Sequence, residues 1–308
     1  MHLGRIATVV FAVLLGWSAA ATAADEPVKL KPYILGNDLG GNMTAVVNLA
    51  RAALTANGFD VVGSYMPYPT ATVIVATHAD LKAAAAKAKN GGFGVAQRVA
   101  VTDVGGKLQV SYVNPAYLGA AYGLGTLETV AVKLKAALGS RLAFGSEEGM
   151  TAKQLAPSTY RYMIGMPYFD HVDVLARHDS YQAAVETVEK NLAAGKGGTR
   201  KVYRIDLPGK EVSVFGVGIL TGDGVDKGAK DTDKEVMHII DYGEYRATAY
   251  LPYEMMIQGS EVIALRGRYR IALHFPDTKM AGEHGFTKIM SSPGGIKRAL
   301  EAVAEKGS

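Results

Sequence analysis

The feature that most constrains the fold is an alternation of apolar and polar residues in the stretch from Gly92 to Leu124. Alternation with a period of two indicates half-buried β-strands. Gly105-Gly106 in its middle supplies the positive φ values of a tight hairpin turn, and the second strand closes on Asn114-Pro115. A comparable stretch returns from Glu261 to Asp277. The sequence therefore predicts one such strand-rich segment in each half of the chain.

Each half can be interpreted as strands flanked by helices, which predicts an α+β fold of two similar units, each an antiparallel-rich sheet packed with helices. The predicted first domain is 25–140, followed by a linker with one short helix at 141–167 and a second domain at 168–308. In the second domain we predict strands at 244–251 and 262–275. A tandem duplication is the interpretation, although the predicted helices of the halves do not match one for one. Two different α+β domains are the alternative.

The first 24 residues have the three parts of a secretory signal peptide. Arg5 gives a short basic region, an apolar run extends from Ile6 to Trp17, and Ala21-Thr22-Ala23 forms an A-x-A cleavage site. The apolar run is shorter than the roughly 20 residues that a membrane span requires. We therefore expect a periplasmic or secreted protein with no membrane span after cleavage.

Charge and cysteine content exclude several classes of protein. The formal net charge of the 308 residues is +4, which is too small to indicate nucleic-acid binding without a basic, aromatic-rich run. The chain contains no cysteine, which excludes thiol catalysis, zinc–thiolate sites and cysteine-ligated iron–sulfur clusters. No G-x-S-x-G motif indicates a serine nucleophile. The sequence gives no prediction of a cofactor.

Several whole segments resemble exported proteobacterial proteins of the family called domain of unknown function 302. The run from Thr70 to Gly123, which includes GFGVAQRVAVTDVGGKLQVSYVNPAYLGAAYG, carries most of the resemblance. The segments YMIGMPYFD (162–170) and KVYRIDLPGKEVSVFGV (201–217) are similar to the same proteins. The resemblance implies an α+β fold and self-association into a homo-oligomer. It brings no established activity to individual residues.

The first candidate site is a metal site at His171 and Asp173. On a strand these two side chains project to one side, and an imidazole with a carboxylate suits zinc or another divalent ion. His178-Asp179 follows near a predicted helix start. A polar strand face followed by an N-capping Asp179 is the alternative.

Copper(I) is a second metal hypothesis. It rests on a late group of imidazole and thioether side chains, which also suit ordinary core packing. The group comprises His274, Met280, His284 and Met290, with Met255 and Met256 upstream.

The third candidate is electrostatic. On a strand at 262–275, Arg266, Arg268 and Arg270 share one face with His274, and such a row of guanidinium groups suits a carboxylate, sulfate or phosphate. If this site exists, we expect Tyr250 or Tyr253 nearby. The alternative is a solvated sheet face paired with acids such as Glu244.

Together these observations predict an exported binding protein whose ligand is a small anionic or amphipathic molecule held between helix and sheet, contacted by Arg266, Arg268, Arg270 and His274. One alternative is a metal-binding protein or metal-dependent enzyme that uses His171 and Asp173. Another is a homo-oligomeric structural or assembly protein.

Overall fold

A computed structural model of the protein describes residues 27–161, 167–221 and 231–306. The predicted signal peptide and part of the predicted linker, residues 162–166, lie outside these ranges. Among the described residues, no helix combines the length and the apolar composition that crossing a bilayer requires. The described residues form antiparallel sheets packed with helices, so the predicted α+β class is confirmed.

The strands of the first part of the chain belong to two sheets. They are β1 (Lys29–Leu30), β2 (Tyr33–Leu35), β3 (Asp60–Tyr68), β4 (Ala71–Thr77), β5 (Gln97–Val104), β6 (Lys107–Val113), β7 (Leu142–Phe144) and β8 (Met150–Thr151). Six of them form the first sheet in the order β3-β4-β5-β6-β2-β7, and β1 pairs with β8. The predicted β5–β6 hairpin is confirmed, with positive φ at both Gly105 and Gly106.

Helices cover the first sheet. They are α1 (Met43–Ala56), α2 (Ala79–Ala85), α3 (Pro115–Tyr122), α4 (Glu128–Leu138) and the short α5 (Ala152–Leu155). Asn42 caps α1 as predicted, because its side chain accepts a hydrogen bond from the Ala45 N–H. Val46, Ala50 and Leu54 lie at helical spacing and are buried where α1 packs against β3, β4 and β5.

The second part of the chain builds a five-stranded sheet. Its strands are β9 (Val172–Arg177), β10 (Thr199–Asp206), β11 (Val212–Ile219), β12 (Tyr253–Gln258) and β13 (Glu261–Leu265), in the order β10-β11-β12-β13-β9. Its helices are α6 (Tyr181–Ala193), α7 (Asp233–Ile240), α8 (Gly267–His274) and α9 (Ser292–Ala304). All neighbouring strands of this sheet are antiparallel.

The two sheets correspond strand for strand. In chain order the stretches from β2 to α4 and from β9 to α9 each run strand, helix, two strands, helix, two strands and two helices; β1, β7, β8 and α5 are additions in the first part. Helices α1 to α4 therefore correspond in order to α6 to α9, and the predicted mismatch is limited to α5. Each edge strand, β3 and β10, also has a register shift, between Val61 and Gly63 and between Lys201 and Tyr203. This correspondence favours the predicted duplication, which stays a prediction.

Two predicted stretches differ from the structure. Residues 262–275 are not one strand: β13 ends at Leu265 and α8 follows. Tyr269 and Leu273 are four residues apart, so the apolar spacing fits a helix as well as a strand. The predicted strand at 244–251 is also wrong, since a 3₁₀ turn occupies Thr248–Tyr250 and the strand begins at Tyr253.

The predicted linker begins too early, because Leu142–Phe144 pairs with β2 and belongs to the first sheet. The two sheets share one buried apolar cluster. They approach most closely at their edge strands, where a Cβ on Gly63 would lie 2.1 Å from the carbonyl oxygen of Val202. A residue with a side chain at position 63 would push β3 and β10 apart.

Candidate functional site

Helix α8 separates the three arginines that the strand prediction placed on one face. Arg270 is buried, whereas Arg268 is exposed and its guanidinium carbon lies 6.0 Å from the centre of the Phe286 ring. Arg266 precedes the helix, and its Nε donates to Oδ1 of Asp173 at 2.9 Å. The predicted row of three guanidinium groups is therefore wrong, because a helix turns successive residues by about 100° where a strand alternates them.

Arg270 and His274 remain together, one turn apart on the buried face of α8. The Nε of Arg270 donates to Oε2 of Glu254 at 2.8 Å. The guanidinium carbon of Arg270 lies 4.3 Å from the centre of the Tyr250 ring and 5.2 Å from that of Tyr253. The tyrosines expected near such a site thus contact Arg270 through their ring faces, which attract a cation.

Arg98 joins this group from the other sheet. Its Nη1 forms an ion pair with Oε1 of Glu254, and its Nε donates to the carbonyl oxygen of Ala249 at 3.0 Å. Arg98 is the second residue of β5 and Glu254 is the second residue of β12, so the pair joins equivalent positions of the two sheets. We call Arg98, Glu254 and Arg270 the buried arginine–glutamate cluster.

Burial controls protonation around this cluster. Burial, together with the charges of Arg98 and Arg270, holds the pKa of His274 well below its ordinary value, so the imidazole is neutral. Burial also raises the pKa of Tyr122 to about 12 and that of Tyr203 well above its ordinary value of 10.0. These phenols therefore remain protonated at neutral pH.

Sequence reasoning missed Arg98 and Glu254 as partners. Arg98 fits the polar face of a half-buried hairpin, and 156 residues separate it from Glu254. The available signal was local composition, because each is the only charged residue within a run of apolar or uncharged neighbours, VAQRVAV and YLPYEMMI. A charged side chain inside such a strand needs a buried partner.

The structure also forms an open cleft between the first sheet and helix α7, which we call the α7 cleft. Its volume is about 570 Å³, within the range of roughly 300–1,000 Å³ of small-molecule sites. One wall consists of Tyr68, Pro69, Thr70, Thr102 and Asp103 from the first sheet. The opposite wall includes Lys234, Met237, His238, Tyr242, Arg246 and His284.

A stacked ring pair lies in this cleft. The Tyr242 and His284 rings are 3.9 Å apart between centres, with an angle of 15° between their planes. The Nδ1 of His284 donates to the carbonyl oxygen of Ile239 at 2.8 Å, which fixes the orientation of the imidazole. Tyr242 is 54% exposed, so the pair presents an aromatic surface to the cleft.

The base of the α7 cleft is a hydrogen-bond network that links both sheets. The Thr248 hydroxyl contacts Tyr68 Oη at 2.9 Å and Thr102 Oγ1 at 3.0 Å. Asp241 accepts from the Ala247 N–H at 2.8 Å. Burial raises the pKa of Asp241 from 3.8 to about 6. The base is therefore rigid and polar, and its carboxylate is already engaged.

The predicted metal ligands are in different surroundings from those expected. His171 is exposed and precedes β9, and Asp173 accepts a hydrogen bond from Arg266. His178 is buried with its Nε2 2.9 Å from the Ala304 carbonyl oxygen. Across the described ranges, no three His, Cys, Asp or Glu side chains are grouped in a way that could hold a metal ion.

The residues of the copper hypothesis differ widely in exposure. His274 is 1% exposed, whereas Met280 and Met290 are 46% and 55% exposed. Met255 and Met256 are buried in β12, where neighbouring side chains point to opposite sides of the sheet. These positions do not bring the six side chains to one place.

Comparison with protein-family models, with curated proteins and with solved structures finds no match to this chain. The resemblance to the domain of unknown function 302 therefore stays a prediction, as does the homo-oligomer that it implies.

Proposed function

We propose that this chain is a binding protein whose ligand is a small molecule with a planar ring and an anionic group, held in the α7 cleft. The observation that carries the proposal is the juxtaposition of an exposed ring pair with Lys234, which has no ion-pair partner among the described residues, in one cavity of small-molecule size. The predicted ligand class, small and anionic or amphipathic, is kept, but the site moves from α8 to α7.

The ring pair supports recognition of a planar group. Because the backbone bond of His284 fixes the imidazole and Tyr242 stacks on it, the phenol ring is held in place before a ligand arrives. An aromatic surface that is already ordered loses little side-chain entropy on binding. Offset stacking on Tyr242 then adds about 0.5–1.5 kcal/mol beyond the area that becomes buried.

The cationic groups support recognition of an anion. Lys234 and His238 are four residues apart on the exposed face of α7, and both line the cleft. Within the described part of the chain neither makes an ion pair or a side-chain hydrogen bond. Arg246, by contrast, is held by the carbonyl oxygen of Asp241. Lys234 is therefore the cation that is free to contact a ligand anion.

Matched ligand pairs test both parts of the proposal. Benzoate and benzyl alcohol, and adenosine monophosphate and adenosine, differ chiefly in the anionic group. We expect the charged member of at least one pair to raise the melting temperature and to give a saturable heat of binding, and the neutral member to bind at least tenfold more weakly.

Variants locate the site. Lys234→Ala should remove most of the difference between charged and neutral members, and Tyr242→Ala should weaken both. Lys135→Ala on the exposed side of α4 is the matched control. No binding by any probe, or binding that is equal in all four proteins, would contradict the proposal.

Export is part of the proposal, and the n-region, apolar run and A-x-A site of residues 1–24 support it. Fractionation of cells that express the full chain tests this part. We expect the protein in the periplasm or medium, with an N-terminus at Ala24 or Asp25; a cytoplasmic protein that retains Met1 would contradict it.

A further inference from the structure

The buried arginine–glutamate cluster contains two positive charges and one negative charge. Arg98, Arg270 and Glu254 are 0%, 2% and 3% exposed. Glu254 contacts both guanidinium groups, one with each carboxylate oxygen. Burial of an uncompensated charge in a protein interior is strongly unfavourable. The contacts within the cluster therefore leave one positive charge without a counter-charge.

The hydrogen bonds of both guanidinium groups are incomplete. Nη2 of Arg270 donates to the carbonyl oxygens of Tyr250 and Pro252, at 2.8 and 2.7 Å. Nη2 of Arg98 and Nη1 of Arg270 are buried and have no hydrogen-bond partner in the part of the chain that the structure describes. Because both groups share the Glu254 carboxylate, these donors belong to neighbouring cations.

Further buried polar groups lie near these guanidinium groups. Among the described residues, neither ring nitrogen of His274, one a donor and the other an acceptor in the neutral ring, has a hydrogen-bond partner, and the hydroxyls of Tyr33, Tyr122 and Tyr203 also have none. The His274 ring centre lies 6.1 Å from that of Tyr33. Tyr122 and Tyr203 both interact electrostatically with Arg98 and Arg270. In native proteins, unpaired buried polar groups on this scale are rare and call for a bound water or ion.

Within the described ranges, no acid other than Glu254 is in ion-pair contact with the two guanidinium groups. His274 is neutral and the tyrosines remain protonated, as described above. Asp233, a further buried acid, accepts a hydrogen bond from the Tyr65 hydroxyl at 2.8 Å, and among the described residues it forms no ion pair with Arg270. Buried water would satisfy donors but would leave the excess charge uncompensated.

We infer that a single small monovalent anion of about the size of chloride is buried beside Nη2 of Arg98 and Nη1 of Arg270. The anion accepts hydrogen bonds from these two groups and from neighbouring phenol or imidazole donors. It joins a side chain of the first sheet to a side chain of α8, so it acts as an internal structural ligand. This site is separate from the α7 cleft, and its test does not depend on the proposed function.

Halide content of the folded protein tests the inference directly. Protein purified in bromide and dialysed exhaustively into gluconate buffer is unfolded in guanidinium nitrate, and released bromide is measured by ion chromatography. We expect about one bromide per chain, and a crystal grown in bromide should show an anomalous peak beside Arg98 and Arg270. Less than 0.1 bromide per chain, with only water at this position, would overturn the inference.

A matched pair of variants separates the buried site from surface ions. Arg270→Gln removes the excess charge and should lower retained bromide at least tenfold. Arg268→Gln, on the exposed side of the same helix, should leave the bromide content unchanged. Equal loss in both variants, or retention in both, would overturn the assignment. If Arg270→Gln does not fold, the bromide count and the anomalous peak of the wild-type protein decide the question.

Discussion

The two sheets place helices of very different character after equivalent hairpins. Helix α3 follows β6 and α8 follows β13, and both carry a buried tyrosine at their third residue, Tyr117 and Tyr269. The fourth residue of α3 is Leu118, whereas the fourth residue of α8 is Arg270. One backbone arrangement thus supports an apolar side chain at this helix position in one part of the chain and a buried charged side chain in the other.

The difference teaches that the charged interior comes from side chains and not from topology. Arg98 and Glu254 occupy equivalent strand positions but carry opposite charges; they pair with each other across the two sheets, and Glu254 also pairs with Arg270 of α8. The two parts share one arrangement of strands and helices, and they differ in the side chains at a few equivalent positions. Substitutions at three such positions test the comparison through their effects on stability.

The largest loss of stability is expected at the carboxylate of Glu254, which contacts both arginines. Glu254→Gln keeps the side-chain shape but removes the negative charge that contacts both Arg98 and Arg270. Removing one partner of a buried ion pair typically lowers the free energy of unfolding by about 3–5 kcal/mol. Urea denaturation monitored by circular dichroism measures this loss.

The control for Glu254 is Glu261→Gln at an exposed pair. Glu261 contacts Arg177, whose side chain is 68% exposed, so this variant should lose only about 0–1 kcal/mol. Equal losses of unfolding free energy in Glu254→Gln and Glu261→Gln would show that burial does not determine how much the ion pairs of the cluster contribute to stability.

The second effect concerns Asp233, the first residue of α7, whose counterpart at the start of α2 is Ala79. Burial raises the pKa of Asp233 from 3.8 to about 7, opposed by the hydrogen bond from Tyr65. Since the folded state holds the proton more tightly, this contribution to stability is fully present below about pH 4. It is lost as the pH rises towards 7.

Asp233→Asn should therefore reduce the decline of stability between pH 4 and pH 8, and should be more stable than the wild type at pH 8. A difference on the order of a few kcal/mol follows from the size of the shift. Melting temperatures across this range measure it, with exposed Asp38→Asn as the control. An unchanged pH profile in Asp233→Asn would refute the assignment.

The smallest losses of stability are expected from substitutions at the starts of α3 and α8. The Asn114 side chain accepts from the Ala116 N–H and donates to the Lys31 carbonyl oxygen, whereas Arg266 makes no side-chain cap. Asn114→Ala should lower the free energy of unfolding by about 1 kcal/mol. Arg266→Ala removes a half-exposed ion pair with Asp173, which is worth about 0–1 kcal/mol. A larger loss of unfolding free energy in Arg266→Ala than in Asn114→Ala would contradict this prediction.

Local patterns predicted the parts of the fold that local forces decide. The period of the β5–β6 residues and the Gly105-Gly106 turn are properties of adjacent residues, and the structure confirms them. The cap at Asn42 is equally local. The α8 helix was missed because Tyr269, Ile271 and Leu273 satisfy the alternation of a strand as well as helical spacing.

The candidate sites depend on contacts that sequence spacing does not encode. The Arg98–Glu254 pair and the walls of the α7 cleft both bring together residues more than 100 positions apart. Lys234 and His238 have helical spacing that marks one face of α7, but nothing in the sequence places Tyr68 or Thr102 opposite them. Tertiary packing alone creates these sites.

The opposite charges of Arg98 and Glu254 also restrict how the chain can assemble. Two copies of the first part, arranged like the present pair of sheets, would bring Arg98 against Arg98, and two copies of the second would bring Glu254 against Glu254. Like charges meeting in a dry interface repel strongly. Each part is therefore matched to the other by charge, and a pairing of two identical parts is disfavoured.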